Sequence, residues 1–148
     1  MGTILKGMSR VPWHELKHAY GSARDVPGRL SRVAWGDARA GEEALSDLGL
    51  WLGELAVFDA TVAAVPFLWD LAVTETVTSR PAVIELLRAI LEHSASQREI
   101  QRAAHLAVLD RTTTADVLTR DEDPAVRAAA SELAASIERH GCAVCRAA

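Results

Sequence analysis

The stretch Asp121–Ile137, DEDPAVRAAASELAASI, limits most strongly what this chain can fold into. Asp123 stands where a helix cap belongs, and Pro124 follows at the first helical position, where its fixed φ and missing N–H cost nothing. From there Val126, Ala129, Ala130, Leu133 and Ile137 recur at helical spacing and form one apolar stripe. The stripe is narrow and alanine-rich, so a second helix must approach it closely. Asp37 and Ser79 open two further stretches of this kind, and the three starts are separated by 42 (79 − 37) and 44 (123 − 79) residues. A period of that length belongs to stacked helix pairs.

Caps and stripes divide the rest of the chain as a single domain, residues 1–148. After a frayed lead-in over 1–10, Pro12 starts a capping helix over 12–21 with Trp13, Leu16 and Tyr20 on one face and Gly21 as its stop. A first pair spans 25–53, its helices opened by Asp25 and Asp37. A second spans 59–93, with Asp59 capping a helix that carries Pro66 and Ser79 starting the next. An intervening helix follows over 97–110; it is apolar on two sides, which predicts that it is sandwiched between neighbours. A last pair covers 113–139, and 140–148 is a loose tail. Alanine, leucine, valine, arginine and glutamate dominate, aromatics are few, and the fold class is all-α.

The pattern acid-x-Asp-Pro-x-Val-Arg-x-Ala-Ala with a spaced Leu133 resembles the second-helix signature of HEAT repeats. WGDARAGEEALSDL aligns with it loosely, Gly41 and Glu42 standing near its Val and Arg. The opening VPWHELKHAYGSARDVPGRL and the later AVPFL look like a group of bacterial HEAT-repeat proteins. The resemblance implies a short HEAT-like α-solenoid of about three helix pairs with an N-terminal capping helix, acting as a binding module.

Charge is unevenly spread. Residues 1–35 carry six Lys/Arg against two acids, whereas 36–76 carry one Arg against eight acids. The acidic middle favours a basic partner or a contact with the chain's own basic start, and the net charge of −4 disfavours a nucleic-acid role. No apolar run approaches the roughly 20 residues needed to span a bilayer. Cys142 and Cys145 are the only cysteines and provide no disulfide framework, which fits a reducing, cytoplasmic compartment.

These features favour a non-catalytic protein-protein interaction module that offers its acidic concave face to a basic partner protein; an inhibitor or immunity-type protein is one such module. Glu43, Asp47 and the margin residues Leu50, Trp51 and Trp35 are candidate contacts on the first pair, and Glu85, Arg88 and Glu92 on the second. The bland alternative for each charge is a solvated face. No cofactor is required by this reading.

Three sets of residues support other readings. His14-Glu15-x-x-His18 matches H-E-x-x-H, which on a helix presents two imidazoles to zinc with Glu15 as general base. Glu43 within Glu-Ala-Leu-Ser-Asp resembles a third ligand of the gluzincin metallopeptidases. Against this zinc-dependent hydrolase, Trp13, Leu16 and Tyr20 form the core face and leave His14 and His18 toward solvent. His140-x-Cys142-x-x-Cys145 supplies three soft zinc ligands without an evident fourth; unligated thiols in a mobile tail are the alternative. Trp35 and Trp51 are candidates to line a small-molecule pocket between the first two pairs, whereas Trp13 and Trp69 sit on apolar stripes and belong to the core.

Overall fold

In the computed structural model, residues 4–142 and Cys145 are described, and they form seven α-helices with one two-stranded ribbon. The helices are α1 Val26–Trp35, α2 Ala38–Leu52, α3 Asp59–Ala72, α4 Arg80–Glu92, α5 Arg98–Leu109, α6 Thr112–Leu118 and α7 Pro124–Arg139. Local signals set several starts. The Asp37 carboxylate accepts from the Ala40 N–H and the Asp123 carboxylate from the Ala125 N–H, satisfying donors that the first helical turn leaves unpaired. Asp59 departs from its expected role: Phe58 is the cap, and Thr61 Oγ1 accepts the Phe58 N–H while donating to the Leu52 carbonyl. The Asp59 carboxylate accepts instead from the Lys17 N–H, at 2.7 Å. Pro66 lies inside α3 on an exposed turn of the helix.

The expected stripes are buried. Leu30 and Val33 of α1, Leu48 and Leu52 of α2, Leu68 and Trp69 of α3, Ile84 and Leu87 of α4, and Val126 and Leu133 of α7 join one core. The pairs α1–α2, α3–α4 and α6–α7 pack together. Contacts also run along the chain between like members, α1 to α3 to α5 on one side and α2 to α4 to α7 on the other. Gly41 has a steric reason to be glycine, since a Cβ there would lie 2.7 Å from Ser79 Oγ where α2 meets the start of α4. No helix among the described residues is long and apolar enough to cross a membrane.

The N-terminal capping helix expected over 12–21 is not formed. Trp13–Glu15 is a single 3-10 turn, followed by the antiparallel ribbon β1 Lys17–His18 and β2 Gly21–Ser22, and a second 3-10 turn at Ala23–Asp25. A helix of nine or ten residues is marginal by itself, and here the rest of the molecule offers better partners. The Lys17 N–H donates to Asp59, and the Ala19 N–H donates to the Trp51 carbonyl. Donors two residues apart on one edge require extended backbone. Gly21, at φ +131, makes the reversal. Tyr20, expected to be core, is 66% exposed.

Two further expectations change. Residues 4–10 of the expected frayed lead-in are packed, with Leu5 buried and the Met8 carbonyl accepting from the Trp13 indole. Helix α5 buries Ala104, His105 and Val108 but leaves Leu106 and Ala103 exposed, so it is covered on one side rather than sandwiched. The rest of the expected lead-in and tail, residues 1–3, 143, 144 and 146–148, lies outside the described residues.

Candidate functional site

The face expected to bind a partner divides in two. Glu42, Glu54 and Glu85 line a cleft of about 250 Å³ between α2 and α4, over Leu45, Leu86, Ala82 and Ala89. No ion pair among the described residues engages these three carboxylates. Glu43 and Asp47 face the other way, because one helical turn separates them along the side of α2 that meets α1. Asp47 pairs with Arg29 of α1 at 2.8 Å, and Glu43 with Arg39 at 3.3 Å. The basic start of the chain therefore does meet the acidic middle, through Arg29. Arg88 lies 3.8 Å from Glu132, and Glu92 accepts from Ser136 Oγ at 2.8 Å, so both connect α4 to α7. Glu54, which follows the end of α2, forms a wall of the cleft.

His14 and His18 do not share a helix face. His18 is buried in β1, its Nε2 at 3.0 Å from the Asp25 carboxylate and its Nδ1 accepting from the Tyr20 N–H. Both ring nitrogens are thereby used within the protein, while His14 and Glu15 are exposed in the preceding turn. Neither residue converges with Glu43 on a common point. The H-E-x-x-H spacing therefore does not bring the two imidazoles to one side of a helix.

The tryptophans separate as well. Trp13 and Trp69 are core. Trp51 stacks on the His18 imidazole, centroids 4.6 Å apart and planes 7° from parallel, and the Arg29 guanidinium lies 5.1 Å from its centroid. It thus anchors the β ribbon to α2 through stacking and cation–π attraction. Trp35 is 59% exposed and Leu50 37% exposed.

The tail residues come together with a fourth group. His105, His140, Cys142 and Cys145 each present one ligand atom, and all four atoms lie within 4.8 Å of one another. Among the described residues this is the one group of three or more His, Cys, Asp or Glu side chains so arranged. Cys145 Sγ is 3.3 Å from His140 Nε2 and 3.6 Å from His105 Nδ1, and Gln101 Nε2 donates to Cys142 Sγ at 3.3 Å. Helix α5 supplies His105 and Gln101, and His140 caps the end of α7. The group adjoins a cleft of about 480 Å³ lined by Glu92, His93, Ser136 and Arg139.

Burial disfavours a charged Cys142, but hydrogen bonding with the Cys145 N–H and Gln101, and interaction with His105 and the Cys145 side chain, outweigh it and bring the thiol down to about 6. Burial, together with the neighbouring sulfur of Cys142, pushes Cys145 up to about 11. Burial also lowers His140, favouring the neutral ring. His105 was the residue missed in the sequence: it reads there as one polar position in a helix otherwise described by its apolar faces.

No family model, curated protein or solved structure matches this chain.

Proposed function

We propose that the chain is a short HEAT-like α-solenoid acting as a non-catalytic protein-protein interaction module, which takes a basic segment of a partner protein into the cleft between α2 and α4. The observation that carries this reading is the placement of Glu42, Glu54 and Glu85 around an apolar floor, none of the three in an ion pair among the described residues. Lysine or arginine side chains satisfy such a cleft twice, laying their methylene stems on Leu45 and Leu86 and their charged heads on the rim. The solenoid reading is supported by the recurrence of capped second helices and by the α2, α4, α7 row of contacts. A small acidic module of this form suits an inhibitor or immunity-type protein that covers a basic surface on a cognate enzyme.

The test is affinity capture from native extract at low and moderate salt, with wild type and the double variant Glu42→Lys/Glu85→Lys as baits. Wild type is expected to retain one stoichiometric basic protein in a salt-sensitive manner. The double variant should retain it at least tenfold less well, mainly through slower association, as reversed charges at an interface rim do. Its thermal midpoint should stay within about 2 °C of wild type, because substitutions on an exposed surface seldom exceed 0.5 kcal/mol. Equal retention by both baits would remove the cleft from the interaction.

A further inference from the structure

We propose that His105 Nδ1, His140 Nε2, Cys142 Sγ and Cys145 Sγ are the four ligands of a structural Zn²⁺ ion, which fastens the end of α7, Cys142 and Cys145 to α5. The spacing of the ligand atoms argues for a tetrahedral ion. With Zn–S near 2.3 Å and Zn–N near 2.05 Å, a tetrahedral centre separates a sulfur from a nitrogen by about 3.5 Å and two sulfurs by about 3.8 Å. The two sulfur–nitrogen distances around Cys145, 3.3 and 3.6 Å, bracket the first value. All four ligand atoms lie within 4.8 Å of one another, about 1 Å beyond the wider of these two separations.

The donor types select the metal. Two imidazoles and two thiols suit Zn²⁺, whereas Mg²⁺ and Ca²⁺ require oxygen ligands. The four ligands complete the tetrahedron and leave no position for water or substrate, so the ion is a cross-link rather than a hydrolytic centre. On binding, both cysteines are held as thiolates, any remaining thiol proton passing to solvent, and the two thiolates balance the charge of the ion.

The surroundings are arranged as a metal site requires. His105 Nε2 lies 2.5 Å from the His93 carbonyl, which can only accept a hydrogen bond, so the proton sits on Nε2 and the Nδ1 lone pair faces the sulfurs. The ring is buried, which holds that orientation. Gln101 is fixed in turn, its Oε1 accepting from the Ala95 N–H while its Nε2 donates to Cys142 Sγ. The turn between α4 and α5 thus positions a histidine on one side of the group and supports a cysteine on the other. A disulfide between Cys142 and Cys145 would consume two ligands, and oxidation is the competing fate of the same pair.

The test uses the full chain, purified under reducing conditions, with Zn²⁺ and then Co²⁺ as probes. One Zn²⁺ per chain is expected. Co²⁺ should show the intense visible bands of a tetrahedral centre with thiolate-to-metal charge transfer in the near ultraviolet, both bleached by added Zn²⁺. Cys142→Ser and Cys145→Ser should each lower the charge-transfer intensity, and His140→Ala should change the visible bands and weaken binding at least tenfold. Gln101→Ala should weaken binding about 10- to 100-fold with the spectrum retained, whereas His14→Ala should leave stoichiometry and affinity unchanged. His105 is buried, so His105→Asn is read together with its circular dichroism; the cysteine and His140 variants decide the matter without it. A chain that takes up no metal when reduced, an octahedral Co²⁺ spectrum, or undiminished zinc affinity in Cys142→Ser or Cys145→Ser would each overturn the assignment.

Discussion

Leu133→Ala is expected to lower the free energy of unfolding by about 3 to 4 kcal/mol, the range for a leucine whose removal leaves a cavity that its neighbours fill only in part. Leu133 has no exposed surface, and it lies at the centre of the stripe by which α7 meets the rest of the core. The contact of α7 with α4 is the most extensive between any two helices, and α6 covers another side of α7. Collapse around the missing methyls would require moving both neighbours, each tied elsewhere. The measurement is a urea titration, in which the midpoint should fall at unchanged slope. Leu106→Ala provides the contrast: that leucine is 39% exposed, and its truncation should cost under about 1 kcal/mol. Near-equal losses in the two variants would mean that α7 is less closely packed than its burial indicates.

The second large effect concerns the ion pair between Arg80 and Asp121. Arg80, at the start of α4, is buried; its Nε donates to the Ala72 carbonyl at the end of α3, and its two terminal nitrogens reach the two oxygens of Asp121 at 3.4 and 3.0 Å. Asp121 also accepts from the Asp123 N–H, just before α7. One guanidinium therefore joins the end of α3, the start of α4 and the approach to α7. Asp121→Ala leaves a buried cation with a single partner and is expected to destabilise the protein by about 2 to 4 kcal/mol at neutral pH.

The pair also has a pH signature. Hydrogen bonding from Arg80, and then from the Asp123 N–H, holds the Asp121 carboxyl below the ordinary carboxylate value of 3.8. A carboxyl lowered on folding stabilises the native state above its unfolded value, and the contribution is lost as pH falls through the folded value. Burial raises Asp70 despite the nearby Arg111, so Asp70 acts in the opposite direction and gains native stability on protonation. Comparing wild type with Asp121→Ala cancels Asp70. The difference in urea midpoint should be constant from pH 7 to about pH 5 and should shrink as the pH is lowered below about 4. A difference that persists unchanged in strong acid would show that the loss comes from packing rather than from charge.

Most of the helical architecture was legible because its causes are local. The Asp37 and Asp123 caps act over three residues or fewer, and the stripes of α1, α2, α4 and α7 follow the helical period, which one face of burial then rewards. The second-helix starts were found to within a residue for the same reason. The candidate sites were far less legible. Glu43 and Asp47 look like part of one acidic face in a helical projection, but Arg29 of the neighbouring helix claims Asp47. The His14 and His18 spacing suggested a metal-binding helix, but the segment is too short to hold a helix against better partners elsewhere.

The sequence by itself determined the largely helical class, the starts of the second helices and most of their apolar faces, because each depends on groups within a turn or two of one another. The tertiary structure alone decided what spans some forty residues. The Lys17 N–H finds Asp59 at a separation of 42 residues and turns a would-be helix into a ribbon; Arg80 finds Asp121 at 41 and ties three helices; Cys145 finds His105 at 40 and joins a cluster of two imidazoles and two thiols. A hydrogen-bonding side chain does not encode which distant group will meet it, since that depends on how the apolar faces pack. Packing of those faces brings the separated polar groups within bonding distance, and only then does their chemistry become specific.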